Sequence, residues 1–370
     1  MEKMDIEPDL VYLNTAAIGL LPIKTRDKLI ELTQIHSKSS TAGFHLEYMD
    51  TKWEKFQLDA AQLLNGDSQG IVATNYTASG LQIVADGIQH KCKYGNIVIN
   101  DLEFTTNVYI WHQLAKRNNI ELRVVNSKDG RLLMDEFERE IDENTRLVAV
   151  SSVQSVNGFR VDLKRLSKLV HDVGGYLIVD AIQGLGAVPI DVKDEGIDFL
   201  SAGAYKWLLG PFNTGIFYIN PLLIDELDTL LVGWFSDSNY IELNNRQFNP
   251  WPNAKRFQPS FYPYFEVLNT SIELINEWGI KKTYSHILKV QDYMVDEINK
   301  LPNYKIMSSL EPNERSGIIK IDHPDYKNIN ADLVRNKIHI TSRFGGLRIS
   351  IHKFNHFEDI DKLISILKNY

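Results

Sequence analysis

The sequence predicts an α/β protein: a mostly parallel sheet flanked by helices, followed by a smaller α+β C-terminal domain. Three observations predict it. Short apolar runs alternate with helix-period segments from about residue 68 to 220, and Gly-containing turns separate them. After a stretch rich in Asn, Pro, Trp and Phe between residues 233 and 263, the pattern changes. A chain of 370 residues, 44% hydrophobic and 24% charged, is long and apolar enough to build both cores.

The first turn-to-helix signal is Ala73-Thr-Asn-Tyr-Thr-Ala-Ser-Gly80, opening a helix over 81–89. Residues 96–99 then read as a short buried strand and 107–116 as a helix. A strand at 122–125 and a helix at 133–141 follow. Residues 147–151 are apolar and β-branched, hence a strand. The helix at 162–173 carries Leu163, Leu166, Leu169 and Val170 along one face and is stopped by Gly174-Gly175. Strands at 176–180 and 215–219 close the series, with the apolar run from Phe199 between them. Beyond the 233–263 loop come helices at 265–278, ended by Gly279, and at 281–300. Strands at 317–321 and 347–351 precede a last amphipathic helix, with Phe357, Ile360, Leu363, Ile364 and Leu367 on one face. Asn355 and Glu358 are spaced as a capping box for that helix.

Bulk properties exclude several classes of function. A net charge of −8 with no basic block argues against nucleic acid or an anionic membrane as partner. A single cysteine, Cys92, cannot form an internal disulfide, and the ten histidines show no metal-ligand spacing. No apolar run approaches the ~20 residues that span a bilayer, and the first residues lack an apolar signal core. The expected location is the cytoplasm, and no metal is expected.

The chemistry concentrates at two strand ends. The strand at 176–180 delivers Asp180 to the carboxyl edge of the sheet, where ligands sit in open α/β sheets. A second strand leads into Ala-Tyr205-Lys206-Trp-Leu-Leu-Gly210-Pro211, which puts an amine among apolar side chains on a glycine-bearing turn. Desolvation lowers a lysine's pKa and frees it as a nucleophile. A buried carboxylate needs a cationic partner. A protonated pyridine ring is such a partner and an aldehyde is what the amine would bind, which together describe pyridoxal 5′-phosphate (PLP). On the residues alone, Asp180 could instead cap the next helix and Lys206 be a snorkelling lysine, but the apolar neighbours of Lys206 favour the functional reading.

Asp180, Gln183, Tyr205-Lys206 and Gly210-Pro211 resemble the signature of the class V aminotransferase family of fold-type I PLP enzymes, a group that includes cysteine desulfurases and isopenicillin N epimerase-like proteins. Tyr12-Leu-Asn-Thr-Ala-Ala17 resembles the family's entry motif, and Arg348-Ile-Ser-Ile-His352 with Asn355 and Glu358 its C-terminal arginine motif. The resemblance implies a large PLP-binding domain at 15–262, a small domain at 263–370, and an arm at 1–14 that packs with the small domain. It implies Lys206 and Asp180 as catalytic residues. The cofactor-binding set would be Thr77, Ala78, Phe104, Gln154, Asp180, Gln183, Tyr205, Lys206, Thr214 and Ser260, with Arg348 holding the substrate's α-carboxylate. Phe104 would stack on the ring, a role as well filled, on the residues alone, by a core phenylalanine. Thr77 and Ala78 would hold the phosphate, although a plain helix cap explains them too. Thr214 and Ser260, with Trp234 nearby in the long loop, would approach the neighbouring subunit of a homodimer whose active site is shared.

Two departures narrow the chemistry. Desulfurases use a cysteine on a mobile C-terminal loop, and no cysteine stands there; Cys92 lies far upstream. Gly203 replaces a hydroxyl residue that touches the phosphate in relatives. The expected activity is therefore transamination at the α-carbon of an amino acid. The alternatives are a carbon–sulfur lyase or desulfurase-like enzyme, or an epimerase, without a catalytic cysteine; a non-catalytic binding relative is the third reading.

Overall fold

The computed structural model describes residues 4–39, 46–260 and 264–370. In chain order its elements are β1 (Val11–Tyr12), α1 (Ile23–Ser39), α2 (Leu46–Leu64), β2 (Ile71–Thr74), α3 (Thr77–Ile88), β3 (Asn96–Asn100), α4 (Thr106–Asn118) and β4 (Glu121–Val125). Next come α5 (Met134–Glu140), β5 (Thr145–Ser151), α6 (Leu163–Asp172), β6 (Tyr176–Asp180), β7 (Phe199–Gly203) and β8 (Gly215–Ile219). The C-terminal part holds α7 (Phe265–Trp278), α8 (Ile280–Ile298), β9 (Lys305–Ile306), β10 (Ile318–Asp322), α9 (Tyr326–Arg335), β11 (Ile338–His339), β12 (Thr341–Arg343), β13 (Gly346–Ser350) and α10 (Phe357–Leu367).

The large sheet has seven strands in the order β2-β8-β7-β6-β5-β3-β4. Strands β3 to β7 run parallel to one another, whereas β8 is antiparallel to both β2 and β7. Alternation along the strands feeds two cores. On β6, Leu177 and Val179 face one core with α2, α6 and α7, while Ile178 faces the other with α3 and α4. Both faces are thus covered, which is why these strands read as continuous apolar runs.

A third core belongs to the small antiparallel sheet β12-β13-β10-β9, packed on α8, α9 and α10. Strand β1 pairs in parallel with β11, and Val11, Leu13 and Ala16 join this core. The expected division at 262/263 falls in part outside the described residues. Within them, α7 sends Phe265, Leu268, Ile272 and Ile275 into the sheet-domain core, so the chain changes core at Gly279.

Several boundaries differ from the sequence reading. Helix α3 begins at Thr77, four residues early, because Tyr76 is the extended residue preceding it. The last helix is capped one residue later than Asn355 and Glu358 suggest: the Asp359 carboxylate accepts from the His356 N–H and from Asn355 Nδ2, each at 3.1 Å. Asn355 is instead drawn inward, where its Nδ2 donates to Tyr12 O and its Oδ1 accepts from the His352 N–H.

Candidate active site

The parallel strands end together: Ser151 of β5 is in register with Asp180 of β6, and Asp180 with Ser201 of β7. The side chains just past those ends therefore converge on one edge of the sheet. Lys206 lies there because β7 does not lead into a helix. It leads into a turn in which Leu209 N–H donates to Lys206 O and Gly210 N–H to Ala204 O, and the chain returns as antiparallel β8. Two glycines clamp that turn. A Cβ on Gly19 would sit 2.0 Å from Lys206 O, and one on Gly186, whose φ is +103°, 2.3 Å from Trp207 O. The N-terminal segment adds the bond from Gly19 N–H to Tyr205 O, 2.7 Å. Trp207 is fully buried in the small-domain core, stacked on His352. It ties the lysine turn to the sheet that carries Arg348.

Lys206 is 8% exposed, and its amine has no hydrogen bond or ion pair among the described residues. Burial pushes its amine down to about 8; Asp180 opposes this, while the Arg348 and Arg343 charges add to it. Asp180, 3% exposed, is pushed up by burial. Against that acts the N–H of Ile182, 3.0 Å from Oδ1, the only hydrogen bond to this carboxylate among the described residues. The pair is thus held where both neutral forms are accessible, the condition for moving protons near neutral pH.

The other expected residues fall into three groups. The first surrounds Lys206 and Asp180. Phe104 has its ring centre 5.7 Å from Lys206 Nζ, as has Tyr205. Thr77 begins α3, and its Oγ1 accepts from the Gly203 N–H at 2.9 Å, leaving the hydroxyl hydrogen free to donate; Ala78 follows in the same first turn. Arg348 is 1% exposed; its Nη1 donates to Ser155 O, and its buried Nε and Nη2 have no partner among the described residues.

The second group is engaged with protein atoms. Gln154 Nε2 donates to Glu103. Gln183 holds Ala16 O with Nε2 and accepts from Trp207 Nε1. Thr214 donates to Pro211 O. The third group stands apart. Ser260 is exposed and borders residues outside the described set, and the Trp234 indole donates to Tyr240 O. Ala78 also lines a cavity of about 440 Å³ between α3 and residues 228–231, a cavity that includes neither Lys206 nor Asp180.

The sequence reading missed two side chains of this site. Glu103, next to Phe104, accepts from Asn100 and Asn107 Nδ2, from Ser151 N–H and Oγ, and from Gln154 Nε2. It pins the β3–α4 turn to the end of β5 and thereby sets Phe104 over the lysine. The signal was a carboxylate one residue from the expected stacking aromatic. Arg343 is the other, five residues before Arg348; Gly345-Gly346 between them marks a hairpin that puts both on one sheet.

A buried carboxylate, a desolvated amine, a helix N-terminus with a free hydroxyl and a flat aromatic face suit PLP, and the two unpartnered nitrogens of Arg348 suit a carboxylate. The profile of the Aminotransferase class-V family matches residues 11–363. The chain belongs to that family. PLP is its cofactor.

Among curated class V relatives, a probable cysteine desulfurase of Methanothermobacter thermautotrophicus is 26% identical, covering 96% of this chain and 93% of its own length. A cysteine desulfurase of Escherichia coli K12 is 24% identical over 97% and 93%. Among solved structures, apo cysteine desulfurase from Thermococcus onnurineus superposes with a TM-score of 0.85 at 20% identity, over 100% and 99% of the two chains. A cystine C–S lyase in complex with its product cysteine persulfide superposes at 0.88 and 20% identity, over 98% of each. These likenesses establish the fold-type I architecture expected from the sequence. The named relatives are desulfurases and a lyase rather than aminotransferases. Among the described residues, no helix is long and apolar enough to cross a membrane.

Proposed function

We propose that this class V enzyme is a PLP-dependent carbon–sulfur lyase acting on a cysteine-type amino acid, and that it releases sulfur as a small molecule. The observation that carries this reading is the position of the only thiol. Cys92 is fully buried among α3 and α4, and burial pushes its pKa up to about 12. Beside Arg348 the β12–β13 hairpin closes over two residues, Phe344 and Gly345, and carries no loop on which a sulfur acceptor could travel. The named relatives support the carbon–sulfur part of the proposal.

Thr77 and the first-turn N–H of Ala78 would hold the phosphate, Phe104 would face the ring, and Tyr205, Gln154 and Gln183 would contact the cofactor. Asp180 would hold a proton on the ring nitrogen. Arg348 takes the α-carboxylate in two-point contact through its free Nε and Nη2. When bound, PLP supplies an aldehyde for the substrate amine and a ring that accepts the electron pair freed as the Cα–H bond breaks. Lys206 Nζ takes that proton. The Cβ–S bond then breaks with its electron pair on sulfur, and the balance is cysteine plus water to pyruvate, ammonium and hydrogen sulfide. A homodimer with Thr214 and Ser260 near the partner's cofactor is part of the proposal.

The test is to incubate PLP-loaded protein with L-cysteine or L-cystine and measure pyruvate, sulfide and persulfide. Pyruvate should appear one-for-one with released sulfur, and the Cys92→Ala variant should do the same. Amino transfer to a 2-oxo acid without pyruvate release would replace this reading with the transaminase one.

A further inference from the structure

Opposed residues of an antiparallel pair share a face of the sheet. Thr341 of β12 is opposite Arg348 of β13, and Arg343 is opposite Gly346. Arg343 is two residues from Thr341, so it stands on the same face as Arg348, its diagonal neighbour at roughly 7–8 Å. Lys320 of β10, opposite Arg348 on the other side, shares that face, and its Nζ donates to Phe344 O at 2.7 Å. Gly346 keeps the space clear: a Cβ there would lie 3.2 Å from Lys320 Cε.

The Arg343 guanidinium is 5.8 Å from the centre of the Phe104 ring, the ring that Lys206 also approaches, and 5.0 Å from that of Phe344. The two-residue turn explains this placement. Phe344 and Gly345 have φ of 54° and 75°, the paired positive values of a tight hairpin. Among the described residues no carboxylate lies within 4 Å of Arg343 or Arg348. This face of the small sheet therefore gathers the Arg343 and Arg348 guanidiniums and the Lys320 amine. Burial, and after it the charge of Arg343, holds Arg348 down to about 10.

We propose that Arg343 is a specificity residue that binds a second anionic group on the substrate's side chain while Arg348 binds the α-carboxylate. The substrate class is an amino acid with an anionic side-chain end; for a lyase, this is a cysteine derivative whose sulfur carries a negatively charged group. The inference rests on the site assigned above, but its charge preference does not depend on which bond is broken.

The experiment titrates PLP-loaded protein with L-aspartate against L-asparagine and L-glutamate against L-glutamine, following the cofactor's visible absorbance. At least one acid should bind about 10-fold or more tightly than its amide, the scale of a hydrogen bond to a charged group. Arg343→Gln should bring that acid down to its amide, and Arg343→Lys should keep part of the preference. Arg348→Gln should weaken acid and amide alike. Equal affinities in the wild type, binding by neither acid, or a preference that survives Arg343→Gln would overturn the proposal. Pyruvate release from cysteine, measured on the same preparations, decides the lyase reading separately.

Discussion

Two lysines of this chain are buried to nearly the same degree and have opposite surroundings. Lys206 is 8% exposed and Lys255 is 5% exposed. Lys255 Nζ lies 3.3 Å from Asp50 Oδ1 and over three aromatic rings, Trp251 at 4.1 Å, Phe235 at 4.7 Å and Tyr240 at 5.0 Å. Lys206 meets two rings, both at 5.7 Å, makes no ion pair within 4 Å among the described residues, and feels Asp180 first and then Arg348 and Arg343 as charged neighbours. Burial lowers both amines. The difference teaches that partners, rather than depth, separate a structural lysine from a reactive one. Carboxylate and ring quadrupoles partly compensate Lys255 for lost hydration. Lys206 is left wanting a bond.

The largest break in this comparison should come from Lys206→Ala. Turnover should fall by about 1,000-fold or more, the combined loss of a nucleophile and a proton-transfer group. Borohydride should no longer fix cofactor to the protein, as read by mass spectrometry. Because the amine has no partner to abandon, urea denaturation of the cofactor-free variant should show stability equal to or above wild type. A clear loss of stability would mean that Lys206 is structural after all.

Lys255→Met should do the reverse. It removes the cation from the aromatic cage and leaves the half-exposed Asp50 to the Tyr240 hydroxyl, costing about 2 kcal/mol of stability, mainly the desolvated cation–π contact. Turnover at 25 °C should hold. A fall in turnover with stability intact would erase the distinction between the two lysines.

The smallest effect is the pH dependence of Lys255. Its folded pKa lies below the unfolded value, so in that interval the unfolded chain binds more protons than the native one. Wild-type stability should therefore rise relative to Lys255→Met as pH climbs through the folded pKa toward the unfolded one, and level off above it. A gap that narrows in the other direction would show that Asp50 outweighs burial.

Much of this was legible in one dimension. Strands buried on both faces are continuous apolar runs, so β3, β5, β6 and β8 could be read directly. The sequence does not encode direction with the same clarity. Strand β8 looks like its parallel neighbours but runs against them, because the lysine turn between β7 and β8 is a return rather than a helical crossover. Helix α7 reads as the start of the small domain, yet its apolar face matches α2 and fills the larger core. The capping box slipped by one residue because Asn355 was recruited by Tyr12 and His352, contacts invisible to local spacing.

The site divides along the same line. The sequence by itself determined which chemistry is available: an amine in an apolar turn, a carboxylate at a strand end, an arginine in a buried strand, and no cysteine near any of them. Those properties belong to residue type and local pattern. Only the tertiary structure decided what each group faces. Glu103 became the hub behind Phe104 because the ends of β3 and β5 meet. Arg343 joined Arg348 because a two-residue hairpin puts them on one face. Gln183 was drawn between Ala16 and Trp207. Lys255 and Lys206 are both buried beside aromatic rings. Asp50, more than 200 positions from Lys255, is what separates them, because a charge is satisfied by distance in space and not by distance along the chain.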